Sequence, residues 1–128
     1  MTRDAQVKII AGAEDNLDGG VAVLVAFSVS PNAADADGGV SEAVAKAVRV
    51  VRESGLPNST NAMFTNVEGS WGEVMDVVRR AVEAAGEGST RVGLVLKADI
   101  RSGFDHGQLE AKVERIEAHL AEEGSAEI

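Results

Sequence analysis

The chain has 128 residues, of which 45% are hydrophobic, and its 12 Lys and Arg against 21 Asp and Glu give a net charge of −9. One domain usually takes about 100–200 residues, so we expect a single domain with its own core. The acidic balance argues against nucleic acid and membrane as partners, and no apolar run is long enough to span a bilayer. The absence of cysteine excludes disulfides, thiol catalysis and cysteine-ligated metals, and it favours a cytoplasmic location.

The chain is predicted to divide into three parts. Residues 1–20 form an N-terminal extension, because a short apolar patch is followed there by a polar, glycine-rich connector. Residues 21–121 form the domain, and residues 122–128 form a frayed tail.

The domain is predicted to begin with a strand over residues 21–30, where β-branched residues dominate. Strand side chains alternate between two faces, so the odd-numbered residues from Val21 to Val29 share one face. The even-numbered residues from Ala22 to Ser30 share the other. Pro31 and a loop rich in turn residues end the strand.

A helix follows, because the apolar residues now recur with helical spacing. Ser41 is the predicted N-cap, and Gly55 with Pro57 gives the stop signal. The apolar stripe consists of Val40, Val44, Ala47, Val48 and Val51.

Residues 58–69 are again extended and are predicted to form a hairpin. Continuous alternation would place Asn61, Met63, Thr65 and Val67 on one face, and Ala62, Phe64, Asn66 and Glu68 on the other. Glu68 is a candidate binding carboxylate at the strand end. The alternative is a structural ion pair with Lys97 or Arg101 across the sheet.

The rest of the chain reads as helix, strand and helix. Ser70 and Glu73 form a capping box that opens the second helix, which ends near Gly86 or Gly88. Its apolar side comprises Trp71, Val74, Met75, Val78, Ala81, Val82 and Ala85. In the following strand, the residues predicted to face the core are Val92, Leu94, Leu96, Ala98 and Ile100. Residues 105–108 cap the last helix, whose stripe is Leu109, Val113, Ile116 and Leu120.

This order predicts an α+β fold: a ferredoxin-like βαββαβ antiparallel sheet with an added C-terminal helix. Both helices of such a domain cover one sheet face, so the other face needs a partner, a ligand or polar cover. That second face is half apolar, which favours packing on another copy of the chain. We therefore expect a homo-oligomer.

No catalytic or metal-binding motif is found. Nucleotide-binding glycine loops, the nucleophile elbow and the helical zinc motif are all missing. The two histidines, His106 and His119, lie about 20 Å apart along one helix, too far to share a metal ion. We expect no enzyme activity; the less favoured alternative is a small ferredoxin-like enzyme with Glu68 or His106 as the base.

Taken together, several segments resemble the small thiamine-binding protein family (YkoF-like). They are FSVSP, SEAVAKAVRVVRESGL, AMFTNVEGSWGEVMDVVRRA and RVGLVLKADIR. The resemblance covers about residues 21–121. It implies a ferredoxin-like fold that assembles as homodimers or homotetramers through its sheets. It also implies non-catalytic binding of thiamine or its hydroxymethylpyrimidine part, with no other cofactor required.

Carried onto this sequence, the resemblance implies ligand contacts from Ser28, Ser30, Asn61, Thr65 and Glu68. Hydroxyl, amide and carboxylate groups complement the donors and acceptors of an aminopyrimidine. The chain departs from the family pattern Thr-Pro-Met-Gly-Thr, because residues 61–65 read NAMFT. Phe64, in place of the glycine, either stacks on the ligand or closes the pocket, which would leave a structural or protein-interaction module.

Overall fold

A computed structural model describes residues 21–33, 39–103 and 107–126. The elements are, in chain order, β1 (Val21–Pro31), α1 (Ser41–Glu53), β2 (Asn58–Thr60), β3 (Thr65–Gly69), α2 (Trp71–Ala85), β4 (Val92–Ser102) and α3 (Gln108–Ala126). The predicted ferredoxin-like order with an added helix is confirmed. The extension at 1–20 and two residues of the last predicted cap, Asp105 and His106, lie outside the described residues.

The four strands form one antiparallel sheet in the order β2-β3-β1-β4. β1 pairs with β4 along its whole length, from Val21 opposite Ser102 to Pro31 opposite Val92. On its other side β1 pairs with β3, and Phe27 lies opposite Thr65. β1 is therefore a central strand, and β4 is an edge strand.

One face of the sheet carries the core. The odd-numbered side chains of β1 pack there beneath α1 and α2, together with Val67 of β3. The core is rich in valine, which suits a pleated sheet surface and contributes about 1.5–3 kcal/mol per buried side chain. Leu94 was predicted to point inward but is 44% exposed, because it lies near the start of the edge strand, where the two helices do not cover the sheet.

The helix ends agree with the sequence prediction at α2 and differ at α1. At α2, Ser70 Oγ accepts a hydrogen bond from the Glu73 amide, and Glu73 Oε1 accepts one from the Ser70 amide. The predicted capping box is thus confirmed. At α1 the N-cap is Val40, without a side-chain cap, because the Val40 carbonyl accepts the bond from the Val44 amide. The prediction of Ser41 as the N-cap was wrong.

α3 lies on the opposite face of the sheet from α1 and α2, where it contacts β3 and β1. It continues to Ala126, through residues that were predicted to be a frayed tail. Its apolar stripe is exposed: Val113, Ile116 and Leu120 retain 54–59% of their accessible surface. None of the helices in the described part of the chain combines the length and apolar character needed to cross a membrane.

Candidate functional site

The candidate residues from the sequence fall into two separate places. Ser28, Asn61, Phe64 and Thr65 line one cleft between the hairpin, β1 and α1. We call it the hairpin cleft. Glu68 lies on the opposite face of the sheet, beneath the start of α3, and it does not line this cleft. Ser30 is exposed and is not part of the cleft lining either.

A tight turn at residues 61–64 shapes the rim of the cleft. Asn61 Oδ1 accepts hydrogen bonds from the amides of Met63 and Phe64, both at 2.9 Å, and the Asn61 amide donates to the Phe64 carbonyl. An asparagine side chain that caps its own turn in this way is a common alternative to an Asn-Gly turn. The side-chain oxygen of Asn61 is therefore occupied by hydrogen bonds within the turn, whereas its Nδ2 group can donate to a ligand.

The turn also explains why the predicted alternation through this segment was wrong. Strand β2 ends at Thr60 and β3 begins at Thr65, so the residues between them do not follow a two-residue period. Phe64 had been placed on the face opposite to Thr65. Instead, both residues line the hairpin cleft.

The hairpin cleft combines apolar walls with hydroxyl groups. Phe27 and Phe64 supply aromatic surface, and Thr60 and Thr65, paired across the hairpin, supply hydroxyls. The wall from α1 consists of Val44, Ala47 and Val48. From the sequence, these α1 residues and Phe27 were predicted to lie in the core. Helix and strand periodicity indicates which side chains face the interior, but it does not indicate that a cleft lies beside them.

The size of the cleft is about 160 Å³. Sites for drug-sized molecules occupy about 300–1,000 Å³, so this cleft suits one small ring rather than a two-ring ligand. Phe64 is half-buried and forms part of the wall, and the cleft persists beside it. All the described residues of the lining are uncharged.

Glu68 has a structural position. Its side chain is 1% exposed, and its two carboxylate oxygens accept hydrogen bonds from the backbone amides of Gly107 and Gln108. A carboxylate at a helix N-terminus satisfies free amide groups and complements the helix dipole. Glu68 therefore fixes the start of α3 on the sheet. The sequence-based alternative was a structural ion pair with Lys97 or Arg101; the structural role seen here is instead made to the backbone of α3.

The described residues show no arrangement for a metal. His119 is exposed on α3, and its Nδ1 lies 3.8 Å from a carboxylate oxygen of Glu122. Within the described ranges, no three histidine or carboxylate side chains are grouped to hold an ion.

The chain matches the family model for thiamine-binding proteins over residues 25–117. It belongs to that family. The matched range runs from the middle of β1 into α3, so it includes the hairpin cleft and Glu68.

Similar proteins agree with this family and fold. The UPF0045 protein Mb1933 of Mycobacterium bovis is 50% identical over 101 residues, which cover 78% of this chain and 96% of that protein. The crystal structure of the hypothetical protein MJ1052 from Methanocaldococcus jannascii is similar, with a TM-score of 0.65, 30% identity, and coverage of 74% of this chain and 95% of that one. A candidate thiamine biosynthesis/salvage protein from Thermotoga maritima gives a TM-score of 0.55 and 25% identity, over 74% of this chain and 98% of that one.

Proposed function

We propose that this protein binds thiamine, or its hydroxymethylpyrimidine part, in the hairpin cleft and performs no chemistry on it. The observation that carries the proposal is the cleft itself, which lies inside the range matched by the family. Its volume of about 160 Å³ suits a single pyrimidine ring. The thiazolium ring of thiamine would then remain outside the cleft.

The lining of the cleft supports recognition of a flat, polar ring. An aminopyrimidine has an apolar face for Phe27 and Phe64, and its edge has donors and acceptors for Thr60 and Thr65. The Asn61 Nδ2 group at the rim adds a donor. The net charge of −9 favours the approach of the cationic thiazolium by long-range attraction.

The absence of ionisable groups from the described lining supports binding rather than acid–base catalysis. Glu68, the carboxylate considered as a base, is buried on the other sheet face with both oxygens bonded to amides. A binding role of this kind suits a cytoplasmic protein that stores or delivers the ligand, without any other cofactor.

Self-assembly forms part of the proposal. The sheet face opposite α1 and α2 exposes Val95 at 60%, and α3 leaves the rest of its apolar stripe uncovered. We infer that sheet faces and edges join two or four copies. Native mass spectrometry of the protein purified from its own cells would count the subunits and any retained thiamine-sized molecule.

Titration calorimetry with thiamine and with hydroxymethylpyrimidine tests the binding directly. Thr65→Val keeps the side-chain shape and removes one hydroxyl, so we expect affinity about three- to tenfold weaker, the usual effect of one neutral hydrogen bond. Thr90→Val makes the same change outside the cleft, where Thr90 Oγ1 accepts from Asn32, and should leave affinity unchanged. The proposal fails if the unmodified protein gives no heat with millimolar ligand, or if the two variants bind equally.

The second candidate is an interaction module whose pocket is closed by Phe64. The small volume of the cleft favours it. Phe64→Gly distinguishes the two candidates: a closed pocket predicts that this variant gains thiamine binding, whereas a stacking Phe64 predicts that it loses affinity.

A further inference from the structure

A second cavity lies on the opposite side of the sheet from the hairpin cleft. It lies between β3, β1, β4 and the first turns of α3, and it has a volume of about 440 Å³. That volume falls within the range of about 300–1,000 Å³ for small-molecule sites. We call it the α3 cavity; its principal lining residues are Leu24, Ala26, Asn66, Lys97, Asp99 and Lys112.

The strand register gives the α3 cavity an apolar floor and a polar rim. Ala26 of β1 lies between Asn66 of β3 and Lys97 of β4, and Leu24 lies opposite Asp99. Side chains that are paired across neighbouring strands point to the same face of the sheet. The floor is therefore Leu24 and Ala26, and the polar groups stand around it.

α3 forms a fixed wall of this cavity. Its first amides donate to the buried carboxylate of Glu68, and Lys112 forms an ion pair with Asp99 of β4. These contacts tie the helix to two different strands. The cavity is thus preformed, which lowers the entropic cost of binding a ligand there.

The charges at the rim leave one cation without a partner. Among the lysines in the described ranges, Lys46 pairs with Glu87 and Lys112 pairs with Asp99, whereas Lys97 forms no ion pair. Lys97 lies on the rim of the α3 cavity beside the apolar floor. The rim formed by Lys97, Asp99 and Lys112 is therefore locally positive by one charge, in a protein whose net charge is −9.

We propose that the α3 cavity binds a small organic anion, a carboxylate or a phosphate ester carried on an apolar body. The anionic group pairs with the Lys97 ammonium, which carries three hydrogen-bond donors. The apolar body covers Leu24 and Ala26. This site is separate from the proposed pyrimidine cleft, because the two lie on opposite faces of the sheet.

The test is an amide-resolved NMR titration of the full chain at constant ionic strength. The probes are benzoate, phenyl phosphate and neutral benzamide. We expect both anions to shift the amide signals of Ala26, Asn66, Lys97 and Lys112, and the tighter of the two identifies the preferred anionic group. Benzamide should bind about two- to fivefold more weakly, because it lacks the charge that pairs with the exposed Lys97.

Lys97→Gln and Lys46→Gln provide a matched pair, since both remove one lysine charge from an exposed position. We expect Lys97→Gln to weaken the binding of both anions about two- to fivefold, and Lys46→Gln to leave it unchanged. Equal effects of the two variants, equal binding of benzamide, or no shifts at 10 mM probe (about the weakest useful affinity) would overturn the proposal. Assembly through this sheet face must therefore leave the α3 cavity open. Signals of its lining that change with protein concentration but not with the probes would show that a second copy fills the cavity, and would overturn the proposal.

Discussion

The two faces of the sheet differ in what covers them, even for neighbouring residues of one strand. Val25 of β1 is completely buried beneath α1 and α2, whereas Leu24, its neighbour in sequence, is only half-buried on the α3 face. The first face is packed mainly with valine, and the hairpin cleft opens at its margin, between β1, α1 and the hairpin. The second carries buried and exposed polar groups around the α3 cavity. The difference indicates that the stability of the fold depends mainly on the first face, whereas the α3 face leaves room for a second ligand and for other copies.

The largest effect is expected from a pair of substitutions that compares the two faces within β1. Val25→Ala should lower the free energy of unfolding by about 2–3 kcal/mol, because it removes two buried methyl groups and leaves a cavity. Leu24→Ala removes a larger side chain but should cost less than about 1 kcal/mol, because that side chain is already partly in water. Urea unfolding of both variants measures the difference. A cost for Leu24→Ala equal to that for Val25→Ala would show that the two faces are equally packed.

A smaller effect on the free energy of unfolding is expected at Glu68, which is a buried side chain on the α3 face. Glu68→Gln keeps the size of the side chain but loses the charge and one of the two acceptors, so we expect a loss of about 1–2 kcal/mol in the free energy of unfolding. The amide protons of Gly107 and Gln108 should then exchange faster with solvent, as the start of α3 loosens.

Glu73→Gln is the matched control, because Glu73 also accepts a backbone hydrogen bond at the start of a helix but is exposed. Its effect should stay below about 1 kcal/mol, as for a surface cap. If Glu68→Gln left the exchange rates at Gly107 and Gln108 unchanged, the carboxylate would not be what holds α3 on the sheet.

The smallest effect is expected on the solvent side of α2, away from both sheet faces. Asp76 accepts hydrogen bonds from Arg79 and Arg80, which hold the pKa of its carboxyl below the ordinary value of 3.8. Since the folded-state pKa is the lower one, this stabilisation is present above pH 3.8 and is lost as the pH falls through the folded-state pKa.

Thermal unfolding measured between neutral pH and pH 2 tests this expectation. Asp76→Asn should lose slightly less stability below about pH 4 than the unmodified protein, because it has no carboxylate there to protonate. Glu117→Gln, at an exposed position on α3, is the control for removing a surface carboxylate. An identical pH dependence for Asp76→Asn and the unmodified protein would show that the arginine contacts do not persist in solution.

The sequence predicts those parts of the fold that local periodicity determines. The alternation in β1 identifies both sheet faces, because strand side chains must point to opposite sides. The spacing of Ser70 and Glu73 identifies the start of α2, because a capping box needs only four consecutive residues. The single turn at Asn61 interrupts the hairpin alternation, and for this reason the orientation of Phe64 was wrong.

The site depends on contacts that no local pattern contains. The carboxylate of Glu68 meets the amides of residues 39 and 40 positions later in the chain, so its role becomes visible only in the folded sheet. The hairpin cleft likewise combines Phe27, α1 and residues 60–65 from three parts of the chain. Resemblance to the family proposed Ser28, Asn61, Phe64 and Thr65 as ligand contacts, and these four residues line one cleft. It could not separate them from Glu68, which lies on the other face.

An amide-resolved NMR titration with hydroxymethylpyrimidine tests directly whether the hairpin cleft is the pyrimidine site. Binding in the hairpin cleft should shift the signals of Phe27, Ala47, Val48 and residues 60–65, and leave those of Glu68 and Lys97 unchanged. Shifts on the α3 face alone, or no shifts at millimolar ligand, would contradict the assignment of the hairpin cleft as the pyrimidine site.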